Sequence, residues 1–163
     1  MEEDNHGKEV IYGHVSKANP QWKGYKTDEE VLCILNGPHG YVSSSWYDHE
    51  NVSTWNYIAV HVYGQIEIVQ EDELLYSLNK LVDKYESKME QPFKMKDMSA
   101  KTLNQVKGIV GFKIHISEIQ AGYKLSQNRN DHDYGNIISK LEKSANSGDI
   151  ILGKEMSKRR LSK

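Results

Sequence analysis

The sequence is poor in the residues that fix a covalent or catalytic framework. Cys33 is the single cysteine in 163 residues, so no disulfide can close within one chain. It lies inside the apolar run VLCIL, where a buried, inert thiol is expected rather than a nucleophile. Internal repeats and low-complexity tracts are absent, and the length suits one domain over 1–163, with 145–163 expected as a C-terminal helix or a frayed basic tail. No run approaches the roughly 20 apolar residues that span a bilayer. The acidic opening MEEDNHGKE is unlike a secretory or transit peptide, which predicts a cytoplasmic protein with no membrane partner. Charge of one sign is also lacking. A formal charge of -2 gives no global attraction to nucleic acid, and only Lys154, Lys158, Arg159, Arg160 and Lys163 form a locally basic stretch.

Familiar catalytic patterns are missing as well. Gly108-Ile109-Val110-Gly111 opens a strand, whereas a dinucleotide fingerprint requires a strand-to-helix turn. There is no phosphate loop of the nucleotidase type and no nucleophile elbow. The seven histidines (His6, His14, His39, His49, His61, His115, His132) include no pair at helical or finger-like spacing, so no metal ligands are expected. Ser43-Ser44-Ser45 reads as strand-facing hydroxyls, with no partnered base nearby.

What is present is a series of strand-like runs at 9–15, 31–35, 40–47 and 57–69, separated by Asn19-Pro20, Asn36-Gly37-Pro38 and the polar segment 48–53. Thr27 to Glu30 fits a capping box, but the short apolar run after it contains Val and Ile and predicts a strand. From Glu71 to Lys88 the period changes. Leu74, Leu75, Leu78, Leu81, Val82 and Tyr85 fall on one helical stripe. A second, short helix is expected from a Ser99 cap to Gly108, closed there by a left-handed glycine. Residues 109–119 return to sheet, 123–126 are expected to pair back after an Ala121-Gly122 turn, and a last helix from about Asp131 should bury Tyr134, Ile137, Ile138 and Leu141. The class these elements predict is α+β, a small antiparallel barrel with peripheral helices.

Asn51 to Gly64, NVSTWNYIAVHVYG, is the most distinctive strand. Tyr57, Ala59, His61 and Tyr63 alternate with Ile58, Val60 and Val62, so one face is apolar and the other carries aromatics with polar handles. Such a face suits a flat, partly polar ligand, and it also suits a half-exposed sheet. Ser16-Lys17-Ala18-Asn19 and Lys124-Leu125-Ser126-Gln127-Asn128-Arg129 each place cations beside hydrogen-bonding side chains at the end of a strand. Each reads equally as an anion site or a solvated charge cluster.

Taken together, GHVSKANPQW, GPHGYVSSSWY, NVSTWNYIAVHVYG, KGIVGF and KLSQNR resemble, in order and spacing, the PaiB family of FMN-binding split-barrel proteins, from about Tyr12 to about Leu141. The resemblance implies a homodimer with FMN at the interface, and a negative transcriptional regulator of sporulation and degradative-enzyme genes. It implies that Ser16 and Lys17 receive the FMN phosphate, that Trp55 and Asn56 contact the ring or ribityl chain, that His61 passes the flavin, and that Lys124, Gln127 and Arg129 approach from the neighbouring subunit. The resemblance also implies a further helix and opening strands ahead of the strand before SKANPQW, which this sequence is expected to lack. Three functions remain open at this point: an FMN-binding regulator with a DNA or protein partner, an FMN-dependent oxidoreductase of the pyridoxamine-phosphate-oxidase or flavin-reductase kind, and a haem-binding split barrel.

Overall fold

In the computed structural model, residues 2–3, 7–27 and 29–160 are described. Five strands make one sheet: β1 (Glu2–Glu3), β2 (Glu9–Ser16), β3 (Glu29–Val42), β4 (Thr54–Ile68) and β5 (Ile109–Lys124). Their order is β1-β2-β5-β4-β3, with β2 antiparallel to both β1 and β5. Val10 stands opposite His115, and Ser16 opposite Ile109. Among the described residues four α-helices accompany the sheet: α1 (Glu71–Glu86), α2 (Ala100–Leu103), α3 (Asp131–Glu142) and α4 (Ser147–Arg160). Among the described residues no helix is long and apolar enough to cross a membrane.

The expected boundaries hold where periodicity sets them and fail where turn chemistry was given more weight. The two strands expected at 31–35 and 40–47 are one strand, β3, running through Asn36-Gly37-Pro38. Because β3 is an edge of the sheet, an edge position tolerates the proline N–H that is missing from the ladder. Gly37 fits because β4 passes close by, and a Cβ there would lie 3.1 Å from the Ile58 carbonyl oxygen. Ser44–Trp46 is a 3-10 turn rather than strand, capped by Ser43, whose hydroxyl accepts from the Ser45 N–H at 3.2 Å. The edge position also explains why VLCIL is not a core strand: Cys33 is only half-buried, while Ile34 and Leu35 are exposed.

No turn forms at Ala121-Gly122, and β5 continues to Lys124. The chain reverses at Ser126, which takes a left-handed φ of 56° and whose carbonyl accepts from the Arg129 N–H at 3.0 Å. Gly108 does not take the left-handed form expected of it. Among the described residues only Gly7 and Ser126 have positive φ, and 104–108 tightens into a 3-10 turn instead. The Ser99 cap is present, its hydroxyl accepting from the Thr102 N–H.

By its contacts the chain divides into two units, Met1–Leu32 with Tyr63–Glu118 and Cys33–Val62 with Ile119–Lys163. In the first, Val10, Ile66, Val69, Leu74, Val110 and Ile114 are buried. Gly111 allows α1 to seat on β5, since a Cβ there would come within 2.8 Å of Leu74. Only the start of the α1 stripe is covered, and Leu81 and Tyr85 are exposed. In the second unit Val42, Tyr47, Leu125, Tyr134, Ile137, Leu141, Leu152 and Met156 form the core, with Ile138 packed at its margin. The Tyr134 hydroxyl donates to the Met156 carbonyl at 3.0 Å, tying α3 to α4.

A polar ladder crosses the first unit. Glu73 accepts from the Tyr12 hydroxyl at 2.9 Å and from the Lys113 ammonium at 3.1 Å, and Glu67 lies 2.9 Å from the His115 ring nitrogen. The hydrogen bond from His115, followed by the Lys113 ammonium, outweighs partial burial and lowers the Glu67 pKa. A carboxylate with a lowered folded-state pKa adds stability above its unfolded pKa, about 4.3, and loses it as pH falls through the folded value. Because the side chain is 41% exposed, Glu67→Gln should cost less than about 1 kcal/mol at neutral pH. The gap in urea midpoint between wild type and variant should then close on acidification. A gap of constant size would show that the pairing contributes nothing.

Candidate functional site

β4 separates its two faces as the pleat requires. Trp55 is 49% exposed, and two rings of β3 attend it. His39 stacks at 6.1 Å between centroids with 29° between planes, and Tyr41 lies tilted at 6.3 Å. Asn36, His39, Trp55, Tyr57, Ala59 and His61 line a cavity of about 450 Å³. Its wall combines ring faces with an amide and imidazole nitrogens, a chemistry that accepts a flat heteroaromatic with a polar edge.

Asn56 faces the other way and is fully buried. Its side-chain oxygen accepts from the Ser126 hydroxyl at 3.1 Å, and its NH₂ points at the Met156 sulfur at 3.6 Å. Both ends of the amide are therefore used inside the protein, and the pair pins the left-handed Ser126. Gln127 is committed as well, donating to the Tyr123 carbonyl at 2.7 Å and accepting from the Leu125 N–H at 2.8 Å. Lys124 donates to the Thr54 hydroxyl at 2.7 Å from an exposed position. The Arg129 guanidinium covers the Tyr47 ring at 5.1 Å.

Ser16 and Lys17 belong to the first unit, at the end of β2. The Ser16 hydroxyl accepts from the Ala18 N–H at 3.2 Å, and the Lys17 N–H donates to the Gly108 carbonyl at 2.8 Å. Trp22 closes the loop by donating its indole N–H to the Lys17 carbonyl at 3.1 Å. Lys17, Trp22 and Lys107 share a cavity of about 290 Å³, with Glu71 on its wall. Neither lysine enters an ion pair among the described residues. The rest of the wall is largely apolar, from Ile68, Val69, Leu74, Val106 and Val110, so the two lysines are its cationic members.

His39, Tyr41, Asn36 and Lys107 were not singled out by sequence reasoning. Had Glu29–Val42 been read as one strand, His39 and Tyr41 would have fallen on one face of it by the two-residue period.

The elements define an α+β protein built on one antiparallel five-stranded sheet. Residues 1–118 match the family described as "Putative FMN-binding domain", and the chain belongs to it. FMN is the cofactor named in that family's description, and the ring faces and polar edges around Trp55 fit the chemistry of a flavin ring. When bound, the flavin supplies hydride or single-electron transfer; the chain's own groups bind and orient.

Protease synthase and sporulation protein PAI 2 of Bacillus subtilis (strain 168) is 49% identical over 137 residues, 83% of this chain and 66% of that protein. Uncharacterized protein AN0679 of Emericella nidulans is 28% identical over 166 residues, again 66% of its length. The chain thus spans just under two thirds of these relatives. Among solved structures, flavocytochrome Anf3 of Azotobacter vinelandii aligns with 79% of this chain and 56% of its own at 18% identity, with a TM-score of 0.47.

Proposed function

We propose that this chain is an FMN-binding negative regulator of transcription, acting as a cytoplasmic homodimer and working through a protein partner. The observation that carries the flavin reading is the Trp55 cavity, where ring faces half open to solvent stand beside an amide and an imidazole. In the second unit Trp55, Tyr57 and His61 offer the isoalloxazine its ring contacts; in the first unit, taken by itself, Ser16 and Lys17 with Lys107 offer a phosphate its donors. Lys124 and Arg129 lie at the rim contributed to the partner subunit. The exposed Ile34, Leu35 and Tyr41 of β3 and Ile119 and Tyr123 of β5 give a dimer its apolar area. The regulatory role draws on the resemblance to the PaiB family, and the Bacillus relative's name speaks of protease synthesis and sporulation.

A protein partner is preferred to DNA because most cations at the basic end of α4 already lie against a carboxylate. Lys158 and Arg159 pair with Glu155, and Arg160 pairs with Asp131. Few cations remain there to displace counterions from phosphates.

Titration of FMN into the purified chain, followed by tryptophan fluorescence and melting temperature, tests the reading. Saturable quenching with a raised melting temperature is expected, and FMN that changes neither would sink it. Lys17→Ala removes a charge-assisted contact worth about 1.5–3 kcal/mol, so affinity should drop about 10- to 100-fold with the melting temperature of the free protein unchanged. Unaltered affinity would move the phosphate elsewhere. For a regulator, NADH oxidation in the presence of FMN should run no faster than with free FMN.

A further inference from the structure

Apart from both cavities, four donor side chains of the second unit converge. Asp48 and His49 follow the turn after β3, while His132 and Asp133 sit in the first turn of α3. We infer that Asp48, His132 and Asp133, with His49 beside them as a fourth donor that turns in on binding, form a binding site for a divalent transition-metal ion of the zinc kind. This inference is independent of the flavin reading.

Geometry supports it first. His49 Nδ1 lies 3.5 Å from Asp133 Oδ2, and His132 Nδ1 lies 3.3 Å from Asp48 Oδ2. Ligand bonds of roughly 2.1 Å at tetrahedral angles place neighbouring donors about 3.4 Å apart. The ligand atoms of Asp48, His132 and Asp133 all fall within 4.8 Å of one another. Separations of 3.3 and 3.5 Å are long for hydrogen bonds between these groups. They match two edges of a coordination tetrahedron, and His49, outside the group of three mutually close donors, must turn inward to complete it.

The second observation is the state of Asp133. Its side chain is 1% exposed, and no Lys or Arg pairs with it among the described residues. It is held in place: Oδ1 accepts from the Asp48 N–H at 3.2 Å and Oδ2 from the Asn130 amide at 3.1 Å. These hydrogen bonds and the α3 N-terminus fix the carboxylate in place, with Oδ2 held 3.5 Å from the His49 ring nitrogen. Capping α3 accounts for Asn130, whose side chain accepts from the Asp133 N–H at 2.8 Å, but calls for neither imidazole.

The remaining donors face solvent, with side chains of Asp48, His49 and His132 between 50% and 65% exposed, so an ion has a way in. On binding, His49 Nδ1 exchanges its 2.8 Å hydrogen bond to Asp48 Oδ1 for the metal, and Asp48 uses Oδ2. Two imidazoles with two carboxylates suit zinc or cobalt better than calcium or magnesium, which favour all-oxygen shells.

The test uses the full chain, free of any histidine tag and stripped with chelator, titrated with Co²⁺ and then Zn²⁺. One equivalent of Co²⁺ should give the visible absorption of a tetrahedral complex, and one equivalent of Zn²⁺ should abolish it. Zinc at a hundredfold excess over its Kd should raise the melting temperature by about 5 °C or more. His49→Ala and His132→Ala should each weaken cobalt by more than the roughly 10- to 100-fold that losing an outer hydrogen-bond partner costs. Both side chains are exposed, so the metal-free melting temperature should not move. No cobalt spectrum together with no zinc-dependent shift, or binding that survives the double histidine variant, would overturn the site. FMN titration of the same samples keeps the two readings apart.

Discussion

Gly64→Ala is expected to destabilise the protein by about 3 kcal/mol or more, at or beyond the upper end of ordinary overpacking. Gly64 is buried in β4, and β5 is the adjacent strand. A Cβ at this position would meet the His115 carbonyl oxygen, with the Ile114 side chain 2.7 Å away and the His115 carbonyl carbon 2.9 Å away. A flexible side chain could swing clear of such an intruder, but the backbone of a neighbouring strand cannot. The two strands must therefore separate locally, which loosens the ladder and the packing of Ile66 and Ile114 beside it. Gly135 provides the control. It lies in α3 with nothing within 4 Å of its added Cβ, so Gly135→Ala should stabilise by about 0.5–1 kcal/mol through helix propensity. Thermal and urea melts should move in opposite directions for the two variants, by roughly 6 °C or more downward for Gly64→Ala. A Gly64→Ala protein melting with wild type would refute the close approach of β4 and β5.

The parts of the fold that were legible in the sequence are those where one period decides. β2, the first half of β5 and α1 follow directly from alternation or from a 3.6-residue stripe. β3 was hidden because Asn36-Gly37-Pro38 carries strong turn chemistry, and only the position of the strand at a sheet edge makes that chemistry harmless. The end of β5 was hidden for the converse reason. Its reversal falls on Ser126, a residue that no propensity marks as left-handed, held there by a hydrogen bond from its hydroxyl to Asn56, far away in sequence.

The same division runs through the candidate site. A crowd of Trp, His and Tyr on a strand is visible in the sequence because a core strand has little use for them, and Trp55, Tyr57 and His61 do line one cavity. Whether an amide serves a ligand or the protein itself is not visible. Asn56 and Gln127 sit in motifs that suggest binding, yet each spends its hydrogen bonds on the chain's own groups. The Asp48-His49 and His132-Asp133 pairs escaped for a related reason. Metal spacing is read locally, and these donors meet only because the turn after β3 and the start of α3 come together in the second unit.

Leu141→Ala should cost about 3 kcal/mol, within the 2–5 kcal/mol span for truncating a buried leucine. Leu141 is fully buried, and its neighbours in the core are residues of β3, α3 and α4. The site collapses poorly, because Gly153 already brings α4 against it: a Cβ on that glycine would lie 3.3 Å from the Leu141 Cβ. With the helices this close, little movement remains to fill the space left by the isobutyl group, so the cavity term stays large. The damage should also reach the polar pair below. Met156 packs in the same core and receives the Asn56 amide, and Asn56 in turn holds Ser126 in its left-handed conformation. Amide hydrogen exchange should therefore quicken at Asn56 and Ser126 as well as along α3, before global unfolding is reached. Leu81→Ala, at a side chain of the first unit that is 42% exposed, should cost less than about 1 kcal/mol. Equal losses for the two leucines in urea melts, or faster exchange confined to α3, would show that the second unit does not carry this core.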